Sequence, residues 1–166
     1  MPDIKEAIIL AGGLGTRLRS AVPDLPKCMA PVNGRPFAAY VTAYLKQQGI
    51  KHFIFALGYK SEAFESFLQE YLPQKNYTLS IENEPLGTGG AIQLACTHAK
   101  GDHVLVTNGD TIFKTQIAAV NTFHIQCNAE CTLALKRMFN FDRYGMVMLK
   151  DDGVINTFKE KQAVDE

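Results

Sequence analysis

The apolar positions of this chain fall into short runs that alternate with stripes at helical spacing. "AIILAGG", from Ala7 to Gly13, is an apolar run closing on glycine, which predicts a buried strand opening into a loop. In "RPFAAYVTAYLKQQGI", Phe37, Tyr40, Val41, Tyr44 and Leu45 recur at helical spacing, and Gly49 supplies the stop. "HFIFALGY" predicts a second strand. "SEAFESFLQEYL" offers a serine cap and a stripe of Phe64, Phe67, Leu68 and Leu72, and "YTLSIENE" reads as a third strand before Pro85. "PLGTGG" opens a helix through "AIQLACTHAK", and "DHVLVTNGD" is a hydrophobic strand finishing in Asn108, Gly109 and Asp110. "AECTLALKRM" and "YGMVMLKDDGVINTFKEK" alternate apolar and polar residues around an Asp-Gly turn, predicting added strands partly antiparallel to the rest.

Strand and helix thus alternate, which predicts an α/β fold with a mostly parallel sheet covered by helices. Its binding groups should gather at the carboxyl ends of the strands, bringing the Gly12 loop and Asp110 to one rim. No repeat or low-complexity linker divides the 166 residues, so one domain over 1–166 is expected. Seventeen basic residues balance seventeen acidic ones without a basic run, which argues against duplex DNA or RNA as a partner. No apolar run is long enough to cross a bilayer and no secretory pattern is present, so the expected compartment is the cytoplasm, with no membrane partner. Cys28, Cys96, Cys127 and Cys131 are accordingly expected as free thiols, and neither they nor the scattered histidines complete a zinc set.

The chemistry concentrates in "AGGLGTRLRSAVPDLPKCMAPVNGRP". Gly12, Gly13 and Gly15 let backbone N–H groups approach an anion closely, and Thr16 adds a hydroxyl donor, together a nest for phosphate. The spacing fits neither G-x-x-x-x-G-K-[ST] nor G-x-G-x-x-G, because Leu18 occupies the third glycine's place. Arg17 can clasp phosphoryl oxygens bidentately, and Lys27, between Pro26 and Pro31, is a second cation on a restricted backbone. Glu82 in "ENEPLGTGG" is acceptor-only and matches the adjacent N1–H and amino donors of guanine; the alternative is a charge decorating an edge strand. Asp110 can serve Mg²⁺ at the end of an apolar strand or cap the following segment, and the two roles are compatible.

Taken in order, "LAGGLGTRL", "PKCMAPVNGRP", "ENEPLGTGGAI", "VTNGD", "RYGMV" and "FKEK" resemble the motifs of the sugar-phosphate nucleotidyltransferases across nearly the whole chain. "RLRSAVPDLPKCMAPVNGRPF" most resembles the branch of D-glycero-alpha-D-manno-heptose 1-phosphate guanylyltransferases, with the mannose 1-phosphate enzymes close by. The resemblance implies a Rossmann-like three-layer sandwich with a mostly parallel mixed sheet. It also implies guanylyl transfer from GTP to a sugar 1-phosphate, giving a GDP-sugar and pyrophosphate for surface glycan synthesis, with Mg²⁺. Nucleotide contacts are carried over to Leu10, Ala11, Gly12, Gly13, Gly15, Thr16, Glu82, Gly87 and Thr88. Arg17 is carried over to the β and γ phosphates, Lys27 to the region of the α phosphate, and Asp110 to the metal. Tyr144, Gly145, Glu160 and Lys161 resemble the acceptor-side blocks that hold the sugar and its phosphate, although "FKEK" read alone is a solvated strand edge. Cys28 departs from the pattern, where relatives usually carry a second proline. Relatives also continue beyond "KQAVDE", so the sugar pocket and a second metal ligand are expected to be truncated. Competing readings are use of UTP or another nucleotide, a glycosyltransferase, and a non-catalytic nucleotide-sugar sensor.

Overall fold

The computed structural model describes residues 3–13, 25–58, 63–139 and 145–159. The chain divides into two compact units, Met1–Thr132 and Leu133–Glu166.

In the first unit, β1 (Glu6–Leu10), β4 (His52–Leu57), β5 (Tyr77–Ile81) and β6 (Leu105–Asn108) form a parallel sheet in the spatial order β5-β4-β1-β6. Parallel neighbours need crossovers, and helices α1 (Phe37–Gln47), α2 (Ala63–Tyr71) and α3 (Gly87–Cys96) lie between successive strands. Alternation along β1 sends Ala7 and Ile9 to one face and Ile8 to the other. The first face packs against Ala38, Val41 and Leu45 of α1 and Phe64, Phe67 and Leu68 of α2; the second packs against Ala91 and Ala95 of α3. Helices therefore cover both faces, as the alternation predicted, in the three-layer arrangement that the resemblance implied. Phe55 of β4 meets Phe67 of α2 edge-on with ring centroids 6.0 Å apart, so aromatic packing ties α2 to the sheet.

Glu6 is a buried carboxylate at the start of β1. Its Oε2 accepts the backbone N–H groups of Lys100 at 2.8 Å and Gly101 at 2.7 Å, tying β1 to the loop that feeds β6. Glu6→Ala strands both donors and should destabilise the protein by about 1–3 kcal/mol, with Glu6→Gln recovering part of the loss. An unchanged denaturation midpoint for Glu6→Ala would remove that role.

Several elements depart from the pattern reading. Between β1 and α1, a 3-10 turn (Lys27–Met29) precedes a small hairpin of β2 (Pro31–Val32) and β3 (Arg35–Pro36). Its Asn33 and Gly34 both have positive φ, the conformation that an Asn-Gly hairpin turn requires. Helix α4 (Ile117–Gln126) also falls outside the predicted elements, because its apolar residues lie all around it instead of forming one stripe. "AECTLALKRM" forms no strand: among residues 129–138 no ladder is made, and Leu133 and Leu135 are exposed. Alternation alone supplies no hydrogen-bonding partner.

In the second unit β7 (Met146–Leu149) and β8 (Ile155–Lys159) form the expected antiparallel pair, but as a separate two-stranded sheet. Its turn carries Gly153 at φ 83° and closes with the Val154 N–H donating to Asp152 Oδ1 at 3.0 Å.

Candidate functional site

In the order β5-β4-β1-β6 the connectivity reverses direction between β1 and β6, and ligands of such sheets bind at that point, outside the carboxyl ends of the strands. A cavity of about 660 Å³ opens there. Its wall brings together Leu10 at the end of β1 with Ala11, Gly12 and Gly13 beyond it, Lys27, Glu82 after β5, Gly87 and Thr88 at the start of α3, and Asp110 beyond β6. These are the nucleotide-side positions predicted from sequence, apart from Gly15, Thr16 and Arg17, which lie outside the described residues. Tyr144, Glu160 and Lys161 also lie outside them, and Gly145 belongs to the second unit, just ahead of β7.

The Gly12 loop owes its course to a close approach that the motif reading missed. A Cβ on Gly12 would stand 2.6 Å from the backbone nitrogen of Gly58, and one on Gly58 would stand 3.1 Å from the Gly12 carbonyl oxygen. The chain leaving β1 and the chain leaving β4 thus meet backbone to backbone, with the Ala11 N–H donating to the Ala56 carbonyl at 2.9 Å. Among the described residues, nothing lies within 4 Å of a would-be Cβ on Gly13.

Lys27 is set by its neighbours. Cys28 and Met29 are buried, the Ala30 N–H closes the turn on the Lys27 carbonyl at 3.1 Å, and Pro26 holds φ at −56°. Cys28 anchors the turn from inside. Its thiol contacts the Ala11 carbonyl at 3.9 Å, and burial pushes its pKa up to about 12, so it stays protonated near neutral pH and is no nucleophile. Gly109 is wedged beside it: a Cβ there would stand 3.2 Å from Cys28 Cβ and 3.1 Å from the Leu10 carbonyl. Strand β6 ends at Asn108, so Asp110 sits two residues past the strand, on the turn this wedge fixes.

The structure joins two predicted residues in a way their spacing does not suggest. Lys27 Nζ donates to Asp110 Oδ2 at 2.5 Å, while Asp110 Oδ1 accepts the Thr111 hydroxyl at 3.2 Å. Glu82 is half-buried; its Oε2 accepts the Leu86 N–H at 2.9 Å, which orients the carboxylate where it lines the cavity. Ala56, Pro85, Ala91 and Asn108, none of them a predicted site residue, complete the wall together with Cys28. Their small or uncharged side chains carry no chemical signature, although Asn108 stands within the quoted "NGD".

Among the described residues no three His, Cys, Asp or Glu side chains gather as a metal-binding group. One cavity-lining carboxylate is nevertheless compatible with Mg²⁺, which is commonly held by one or two carboxylates with substrate phosphates and water completing its octahedron. Among the same residues, no helix is long and apolar enough to cross a membrane.

Comparison with known proteins agrees with this geometry. The Nucleotidyl transferase family model matches residues 6–166. The D-glycero-alpha-D-manno-heptose 1-phosphate guanylyltransferase of Aneurinibacillus thermoaerophilus is 47% identical over 156 residues, covering 94% of this chain and 67% of that protein. The protein of the same name from Campylobacter jejuni is 42% identical, with 94% and 68% covered. Among solved structures, HddC from Yersinia pseudotuberculosis complexed with GMP-PN superposes with a TM-score of 0.71 at 32% identity, covering 95% of this chain and 70% of that one. A glycine loop, a lysine and an aspartate converging at the switch point of a parallel sheet, matched by a family model over almost all the residues, lead to one conclusion: the chain belongs to the nucleotidyl transferase family.

Proposed function

We propose that this protein transfers the guanylyl group of GTP to a sugar 1-phosphate, D-glycero-alpha-D-manno-heptose 1-phosphate in the first instance, releasing pyrophosphate. The observation that carries the reading is the cavity at the β1–β6 switch point, whose wall holds a cation, a carboxylate, a glycine loop and an oriented glutamate. The names of the heptose 1-phosphate guanylyltransferases supply the substrate class.

In this reading an oxygen of the sugar 1-phosphate forms a bond to the α phosphorus of GTP. The bond from that phosphorus to the β-bridging oxygen breaks, and pyrophosphate departs with the electron pair. The attacking oxygen is already largely deprotonated near neutral pH, so no protein base is required. The protein's task is to position the reactants and neutralise charge. The glycine loop offers backbone donors to the phosphates, and Lys27 meets the negative charge that develops around the α phosphate. Arg17 is assigned to the departing pyrophosphate by its place in the motif. Asp110 would hold Mg²⁺, which when bound draws the triphosphate oxygens together and reduces their mutual repulsion. Gly145, Tyr144, Glu160 and Lys161 are proposed for the acceptor.

Glu82 is assigned to guanine. With Oε2 engaged by the Leu86 N–H, Oε1 is the freer acceptor for the N1–H and amino edge. Calorimetric titration should therefore show GTP binding more tightly than ATP or UTP, and Glu82→Gln should erode the preference by about tenfold, because an amide NH₂ now faces a donor. Equal affinities for the three nucleotides would remove the guanine assignment. GTP-dependent pyrophosphate release that needs no sugar 1-phosphate would remove the transfer reaction.

A further inference from the structure

Lys27 and Asp110 are asked by the reading above to hold different things, one a phosphate oxygen and the other a cation, yet in the structure they hold each other. Their ion pair, Nζ to Oδ2 at 2.5 Å, spans 83 positions of sequence inside the cavity wall. An ammonium at that distance occupies the oxygen a Mg²⁺ ion would need at about 2.0–2.1 Å, and two cations cannot share it without strong repulsion.

We infer that this ion pair is a latch that makes cation and nucleotide binding interdependent: Lys27 weakens the hold of Asp110 on a divalent cation by a few-fold until a triphosphate draws the ammonium away. The inference rests on the assignment of Asp110 to the metal and Lys27 to phosphate. The exchange conserves what it breaks, because the lysine trades one charge-assisted hydrogen bond to a carboxylate for others to phosphate oxygens. The freed carboxylate then meets the cation that the triphosphate carries. Only the lysine side chain has to move. Its backbone is held by the buried Cys28 and Met29, and the turn bearing Asp110 is held by Gly109 against Cys28, so the latch opens without rebuilding the loop. Thr111, hydrogen-bonded to Oδ1, keeps the carboxylate oriented during the exchange. By linkage, cation and triphosphate must each raise the other's affinity by the same factor.

The test uses Mn²⁺ as the probe, followed by its electron paramagnetic resonance signal, added to the protein before any nucleotide. Lys27→Gln should bind Mn²⁺ about two- to fivefold more tightly than wild type, and the added affinity should vanish in the Lys27→Gln, Asp110→Asn double variant. A double-mutant cycle on the thermal midpoint of the nucleotide-free protein should show the two substitutions to be non-additive, because each removes the same contact. No gain in Mn²⁺ affinity for Lys27→Gln overturns the latch. A gain accompanied by strictly additive midpoints also overturns it, since that pattern is long-range charge removal without a contact. Tighter Mn²⁺ binding that survives Asp110→Asn unchanged would instead show that Asp110 is not the ligand, a failure of the site assignment distinguishable from the other two results.

Discussion

Lys27→Ala should lower turnover by about 10²–10³-fold while leaving the fold nearly untouched. A preorganised donor aimed at charge developing in a transition state contributes about 2.7–4 kcal/mol, and Lys27 sits on a turn pinned by two buried neighbours, so little of that interaction is spent on ordering it. Its contribution to stability is far smaller. The Lys27 and Asp110 side chains retain 42% and 30% of their exposure, and an ion pair so accessible to water contributes roughly 0–1 kcal/mol. In a chain of this size that is a Tm change of at most about 4 °C. Steady-state pyrophosphate release from GTP and sugar 1-phosphate, measured beside thermal unfolding, separates the two effects. Turnover within about threefold of wild type would end the catalytic assignment, and a large Tm loss would make the residue structural instead.

Gly12→Ala should be the most damaging single-methyl substitution in the cavity wall, and Gly13→Ala next to it a mild one for stability. The new Cβ at position 12 would meet the Gly58 nitrogen at 2.6 Å and the Gly58 Cα and Leu57 carbonyl carbon at 3.3 Å, all backbone atoms that cannot rotate aside. Relief requires the β1 and β4 exits to separate, and overpacking of this kind costs about 1–3 kcal/mol. Because the same loop is assigned to the phosphates, GTP affinity should fall by about tenfold or more as the loop shifts. Position 13 has no neighbour within 4 Å among the described residues, so its Ala variant should unfold with the wild-type protein. Thermal melts of both variants, each repeated with GTP, decide the matter. Equal midpoints for the two would mean that the Gly12–Gly58 approach does not constrain the loop.

Much of the site was legible before the fold was known, because phosphate chemistry imposes residue types at short range. A glycine loop after a buried apolar run, a lysine between prolines and an aspartate closing a strand are local patterns, and the parallel α/β rule places the first and last at one rim. The β1, β4, β5 and β6 strands were visible for a related reason: they are short apolar or alternating runs separated by helical segments, two of which, α1 and α2, carry a clear apolar stripe. Helix α4 was not, since its apolar residues have no preferred side, and "AECTLALKRM" shows the converse error, an alternation without a partner strand.

The amino-acid sequence by itself determined the α/β alternation and the family, since each is written in residue type and local spacing. The tertiary structure alone decided that Gly58 limits Gly12, that Cys28 and Gly109 wedge the turns bearing Lys27 and Asp110, and that those two charges pair. The physical reason is separation along the chain. Contacts between β1, β4 and β6 exits depend on the order in which parallel strands assemble, and no local pattern records which distant residues that order will bring within a hydrogen bond of each other.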